Sequence, residues 1–164
     1  MNESFIDDLD PPRLIDGKAL LIAGIGERYN EATGGDIAAQ WQRFAPYLGK
    51  VPGQIGTASY GVCLNAEEAG FFDYVCGVEV SDFAAVPPQF MCVRIPERRY
   101  AVFLHRGHVS AIRRTLNTIW NKWLPESGLT VVDAPAFERY DERYDPRSGA
   151  GDVEIWLPVD DGGR

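Results

Sequence analysis

Two glutamates set among aromatic side chains are the residues through which this chain could do chemistry. Phe137-Glu138-Arg139-Tyr140 is followed by Glu154-Ile155-Trp156-Leu157-Pro158-Val159. Side chains along a strand alternate between faces, so the second segment puts Val153, Ile155, Leu157 and Val159 on an aliphatic side. Glu154, Trp156 and Pro158 fall on the other, and Glu138 and Tyr140 share one face of the first segment. The expectation is one sheet surface that pairs two carboxylates with two amphipathic aromatics, the wall of a binding cleft. A carboxylate in a poorly solvated wall has a raised pKa unless a cation or hydrogen bond compensates. A delocalised organic cation over Trp and Tyr faces gains about 0.5–2 kcal/mol from cation–π contact. Two carboxylates could also divide acid and base roles if their surroundings split their pKa values. Glu138 or Glu154 would then orient a water while Tyr140 or the other acid protonates the leaving carbon. No Ser-His-Asp or Cys-His arrangement is visible, which disfavours acyl transfer through a covalent intermediate.

The other aromatic residues divide between wall and core. Val109, Ile112, Leu116, Ile119, Trp120 and Trp123 form one helical stripe. That stripe makes at least one of Trp120 and Trp123 core, the other being open to serve as pocket floor. Trp41 and Phe44 follow the same reading. Tyr60 and Tyr74 lie on strands and bring a polar tip, which suits a pocket wall and cross-strand packing equally. His105 and His108 read as turn residues near a helix N-terminus in preference to a general base. Arg94, Arg98, Arg99, Arg106, Arg113 and Arg114 read as a solvated face, and no Gly-rich phosphate loop precedes a helix.

The elements that must position these residues follow from periodicity. An acidic, proline-containing lead-in (1–16) precedes a strand at 18–26. A turn and N-cap at Thr33-Gly34-Gly35-Asp36 open a helix carrying Ile37, Trp41, Phe44 and Leu48, which should fail between Pro46 and Gly49. Strands follow at 58–64 and 71–82. After Pro87-Pro88 come an extended run at 89–95, a strand at 99–105, and the Val109–Trp123 helix, stopped by Pro125 and Gly128. Strands at 136–140 and 153–159, joined by a polar loop at 141–152, close the chain. The halves (about 17–86 and 87–160) share the order strand, helix, strand, strand. Trp41 lands on Trp120, Phe44 on Trp123, and Phe72-Asp73-Tyr74 on Val153-Glu154-Ile155. The predicted fold is therefore α+β: duplicated β-α-β-β units forming an antiparallel sheet backed by two helices, with a ligand cleft between the halves.

Composition narrows the function. A chain of 164 residues, 45% apolar and 24% charged, suits one ordinary globular domain. A net charge of −8 without a basic stripe argues against autonomous nucleic-acid binding. No apolar run approaches the ~18 residues of a membrane span, and no basic signal-peptide start is present. Cys63, Cys76 and Cys92 form no CxxC and read as buried free thiols; with two histidines, no metal site or cofactor is expected. The expected location is the cytoplasm, as a monomer or weak dimer.

The chain resembles the GyrI-like small-molecule-binding family, which also supplies effector-binding modules to AraC-type and MerR-type multidrug regulators. The resemblance rests on Trp120-Asn-Lys-Trp123-Leu-Pro125, Phe137-Glu138-Arg139-Tyr140 and Glu154-Ile155-Trp156-Leu157-Pro158-Val159, in that order and spacing. Tyr60-Gly61-Val62 and Phe72-Asp73-Tyr74 with Gly77-Val78 match less specifically. It implies a cleft for lipophilic, cationic or aromatic compounds with a glutamate among aromatics. Glu138 and Glu154 would supply charge, and Tyr60, Tyr74, Trp123, Phe137, Tyr140 and Trp156 the walls. Stand-alone members imply two alternatives: a hydrolase opening cyclopropane rings of natural products, with Glu138, Glu154 and Tyr140 catalytic, or a gyrase-inhibitor-like protein partner. The regulators' upstream helix-turn-helix has no counterpart in this sequence, so direct transcriptional control is not expected.

Overall fold

The computed structural model describes residues 5–6, 9–30, 36–65, 67, 70–145 and 147–160. Thr33-Gly34-Gly35 of the predicted turn lies outside them; Asp36 stands at the N-cap but makes no side-chain capping bond. Among the described residues the strands are β1 (Arg13–Gly17), β2 (Leu20–Tyr29), β3 (Gln54–Leu64), β4 (Phe72–Val80), β5 (Met91–Ile95) and β6 (Arg98–His105). They continue with β7 (Thr130–Val131), β8 (Ala136–Tyr140), β9 (Tyr144–Asp145), β10 (Ala150–Gly151) and β11 (Val153–Asp160). The helices are α1 (Ile37–Phe44), α2 (Ile112–Thr118) and α3 (Leu124–Ser127).

The sheet runs β1-β6-β11-β8-β3-β4-β2-β5, with β7 pairing β11, and the pairings are antiparallel. Within each half the sheet order is second strand, third strand, first strand: β3-β4-β2 and β8-β11-β6. The halves meet along β3 and β8. Each half is also prefaced by a strand that crosses to the other half. Residues 13–17, assigned by sequence to the loose lead-in, form β1 and pair with β6, while β5 pairs with β2. Their short alternating pattern is hard to tell from an extended tail, because an edge strand is specified by its partner.

The crossings curl the sheet. Lys18 and Ala19 alone join β1, at one end of the order, to β2, next to the other end. Pro96 and Glu97 join β5 to β6 in the same way. Two linking residues reach only about 10 Å, so the ends must approach each other. The inner face consequently closes on itself: Ile22, Val93 and Ile95 pack with Tyr100 and Val102 from the opposite end and with Tyr60, Val62, Val75 and Phe137 from the middle. Each such side chain taken out of water contributes about 1.5–3 kcal/mol.

The outer face carries the helices. Phe44 and Trp41 of α1 pack on Tyr74, Cys76 and Val78. Gln40, fully buried, anchors the helix through Nε2, which donates to the carbonyls of Ile25 and Tyr74 at 2.8 and 2.9 Å; its Oε1 accepts from the Tyr29 hydroxyl at 2.6 Å. Ile112, Leu116, Ile119, Trp123 and Leu124 cover Ala101, Phe103, Ile155, Leu157 and Val159. Pro125 does not end this helix. A five-residue π-helical stretch, Ile119–Trp123, changes the hydrogen-bond step and leaves Pro125 in the first turn of α3, where its missing N–H costs least. Gly128 then terminates it at φ +79°. No helix among the described residues is long and apolar enough to cross a membrane.

Candidate ligand-binding groove

With α1 over β2 and β4, and α2 with its continuation over β6 and β11, the outer face of the central pair β3–β8 lies between the helices. Ser59, Cys63, Ala136, Glu138 and Tyr140 there are partly exposed, whereas Cys76, Ile155 and Phe103 under the helices are sealed. This strip is left uncovered between the helices, and its one ionisable carboxyl is Glu138.

The surroundings of Glu138 follow from register. Gly61 on β3 faces Glu138 on β8, and on its other side Gly61 faces Cys76. A Cβ at position 61 would stand 2.0 Å from Tyr74 Oη and 3.0 Å from Glu138 Oε1. The missing side chain is what lets Tyr74 cross β3 and donate to Glu138 Oε1 at 3.0 Å. Tyr140, two residues along the same strand face, donates to the same oxygen at 2.6 Å. Trp41 of α1 donates from Nε1 to Tyr74 Oη at 3.1 Å and meets the Tyr140 ring edge-on at 5.3 Å. Tyr140 in turn meets Tyr144 edge-on at 4.9 Å.

Among the described residues no Lys, Arg or His pairs with Glu138, and its Oε2 takes no hydrogen bond. Burial raises its pKa, partly offset by the hydrogen bonds from Tyr140 and Tyr74. Burial and then the Glu138 charge hold the Tyr74 and Tyr140 phenols well above their ordinary value, so both remain donors. The same two influences push the Cys63 thiol up, which leaves it a protonated spectator on the strip.

The expected pairing of Glu138 with Glu154 on one surface is not what the structure has. Glu138 stands opposite Ile155, and Glu154 opposite Arg139, so the two carboxylates lie on opposite faces of the sheet. Alternation within each strand is as expected; the register between them is one residue away from the arrangement that would unite the pairs. Glu154 and Trp156 belong to the inner face with Tyr60 and Phe137. There Phe137 stacks on Trp156 at 5.2 Å, with Tyr100 edge-on to both. Trp123 is on the helix side but packs edge-on against Phe103 at 4.9 Å and borders a small depression lined by Ile6, Leu9 and Thr118. Of the residues expected at the site, Glu138, Tyr74 and Tyr140 are brought together on the outer face, Glu154, Trp156, Tyr60 and Phe137 on the inner face, and Trp123 stands apart from both groups. A hydrolytic mechanism dividing acid and base work between the two glutamates therefore has no geometric basis here.

Trp41, which the sequence leaves open between pocket floor and core, stands beside Glu138's two tyrosines, and Gly61 and Tyr144, not expected as site residues, join it there. Trp41 sits on the apolar stripe of α1, and only its indole N–H, which needs a partner when half-buried, hints at more than packing. Nothing local marks Gly61. Tyr144 is an aromatic in an otherwise polar loop, part of which pairs as the β9–β10 hairpin. His108 caps the helical turn at Val109–Ala111, near the helix start as expected, whereas His105 is not a turn residue but the buried last residue of β6. Buried His105 bonds Thr115 Oγ1 and the carbonyl of His108, and His108 holds Ser110 and the carbonyl of Ser148. The cysteines are unpaired, but only Cys76 is buried as expected: Cys63 is partly exposed between the helices, and Cys92 is exposed because it lies on the outer side of edge strand β5. No cluster of three or more metal-ligating side chains occurs among the described residues.

A family model described as the GyrI-like small molecule binding domain matches residues 10–160. The chain belongs to the GyrI-like family. This GyrI-like domain is 32% identical over 152 residues to transcriptional regulator BrlR of Pseudomonas aeruginosa, covering 90% of this chain and 54% of that protein. The chain thus spans about half the length of this curated relative. The structure of SAV2435 bound to tetraphenylphosphonium superposes with a TM-score of 0.74 at 24% identity, over 91% of this chain and 93% of that one. An integron cassette protein from the mobile metagenome of Vibrio cholerae gives a TM-score of 0.70 at 19% identity, over 93% and 97%. At these identities the structural likenesses establish the fold.

Proposed function

We propose that this GyrI-like domain binds lipophilic organic cations in the groove between its helices, as an effector-binding or drug-sequestering module. Glu138 is the counter-charge, and Trp41, Tyr74, Tyr140 and Tyr144 are the aromatic walls. The observation that carries this reading is Glu138 itself. It is a partly buried carboxyl between the helices, oriented by two tyrosyl hydroxyls on one oxygen and without a cation partner among the described residues. Such a group is costly to keep in the empty protein and is compensated when a cation arrives. The aromatic surroundings favour a cation whose charge is spread under apolar groups, since the hydration such an ion gives up is small and ring faces attract it. The tetraphenylphosphonium carried by SAV2435 is a ligand of that kind.

Calorimetric titration of the domain with tetraphenylphosphonium and with triphenylphosphine oxide, a neutral compound of related shape, tests the proposal. Saturable 1:1 binding of the cation with clearly weaker binding of the oxide is expected. No binding of the cation, or equal affinity for both, would refute it.

A further inference from the structure

Glu154 is the buried motif carboxylate that the groove does not use. Its Oε2 accepts from Arg143 Nη2 at 2.8 Å and its Oε1 from Trp156 Nε1 at 3.0 Å; guanidiniums of Arg13 and Arg139 lie at 3.5 and 3.7 Å. A carboxylate so surrounded has no capacity left for a ligand cation. Its neighbours lead elsewhere. Arg143 donates to Asp141 from Nε and Nη2 at 3.0 and 2.8 Å, and its backbone N–H donates to the same carboxylate at 3.0 Å. Those hydrogen bonds hold the Asp141 carboxyl down at about 2. The backbone N–H of Tyr144 then donates to the Asp141 carbonyl at 3.0 Å.

The turn 141–144 is therefore closed by its own Asp–Arg fork and bolted, through one guanidinium, to a strand residue of the inner face. Its last residue delivers a ring to the outer face. Tyr144 meets Tyr140 edge-on at 4.9 Å. Tyr140 is the residue that donates to Glu138 and faces Trp41. The two motif glutamates, on opposite faces, are thus connected through one turn.

We infer that Glu154 is a positioning residue for the groove: through Arg143 and the 141–144 turn it holds Tyr144 against Tyr140 and so shapes the rim that a bound cation meets. The inference rests on the groove being the binding site. The bidentate Arg143–Asp141 fork orients the guanidinium and its Nη2 makes one further hydrogen bond to Glu154, a geometry a lysine could not reproduce.

The test is a double-mutant cycle on tetraphenylphosphonium affinity, using Glu154→Gln, Tyr144→Ala and both together, with the Tm of each recorded. Glu154→Gln should weaken binding about two- to tenfold, the range for losing one edge-to-face ring contact. It should add nothing once Tyr144 is alanine. Effects that multiply, or a Glu154→Gln affinity equal to wild type, overturn the inference whatever happens to Tm. A second readout needs no ligand. In the free protein the ring proton shifts of Tyr140 and Tyr144, displaced by their mutual contact, should move toward exposed-tyrosine values in Glu154→Gln. The same is expected in Arg143→Lys, which keeps the charge and so covers the case of a Glu154 variant that does not fold. Unchanged ring shifts overturn the positioning role even if the cation fails to bind wild type, a failure that by itself counts against the groove reading.

Discussion

Replacing Glu138 by glutamine separates the charge of the groove from its shape. The amide oxygen can still accept from the Tyr74 and Tyr140 hydroxyls, which lie 3.0 and 2.6 Å from Oε1. The walls and the Trp41–Tyr74 link stay in place, and one negative charge, with no cationic partner among the described residues, is removed. For a phosphonium centre about 6 Å from the carboxylate and an effective dielectric of about 20, the lost attraction is about 3 kcal/mol, roughly a hundredfold in Kd. Burial removes only part of the carboxyl's hydration in the empty protein, so loss of the remainder on binding offsets some of this attraction and about a hundredfold is the upper bound. Calorimetry at constant ionic strength, with tetraphenylphosphonium and triphenylphosphine oxide against both proteins, reads the effect. The cation should lose up to about a hundredfold and the neutral oxide less than about threefold. A cation loss under about threefold, or equal losses for both compounds, would show that the Glu138 charge is not what the groove recognises.

The same carboxyl sets a pH dependence. Its folded-state pKa lies above the ordinary 4.5, and tetraphenylphosphonium has no proton to lose. Affinity should therefore rise as pH climbs from 4.5 through the raised pKa and level off above it, a slope absent in Glu138→Gln. Over that window the empty protein should lose stability, because the folded state holds the proton more tightly than the unfolded one; denaturant midpoints measured against pH check the sign. Gly61→Ala puts a Cβ 2.0 Å from Tyr74 Oη; it should destabilise by about 1–3 kcal/mol and weaken cation binding, and a wild-type urea midpoint would contradict the packing described. Phe137→Ala, emptying the inner face, should cost about 3–5 kcal/mol in chemical denaturation while the folded fraction keeps its tetraphenylphosphonium affinity within about threefold.

Legibility followed the range of the forces involved. Helical stripes, strand alternation and the glycine and proline stops are local, and they located α1, the α2 segment and β2, β3, β4, β6, β8 and β11. β1 escaped because five residues with exposed Arg13, Leu14 and Asp16 acquire their identity only by pairing with β6. Cys92 was assigned to the interior from its apolar run, but alternation on an edge strand turned it outward. The Pro125 stop failed because a π-helical insertion relocated the proline to a tolerated first turn.

The amino-acid sequence by itself determined which side chains share a face within a strand: Glu138 with Tyr140, and Glu154 with Trp156. It also settled the duplicated α+β order and family membership, since each depends on residues close along the chain. Only the tertiary structure decided which strand face became groove and which became core. That outcome hangs on the register of β8 against β11, where one residue exchanges the two faces. It hangs equally on the two-residue links that curl the sheet and close Trp156, Phe137 and Tyr60 inside. Glu138 was left between the helices with no cationic side chain paired to it among the described residues, and Glu154 was surrounded by three arginines.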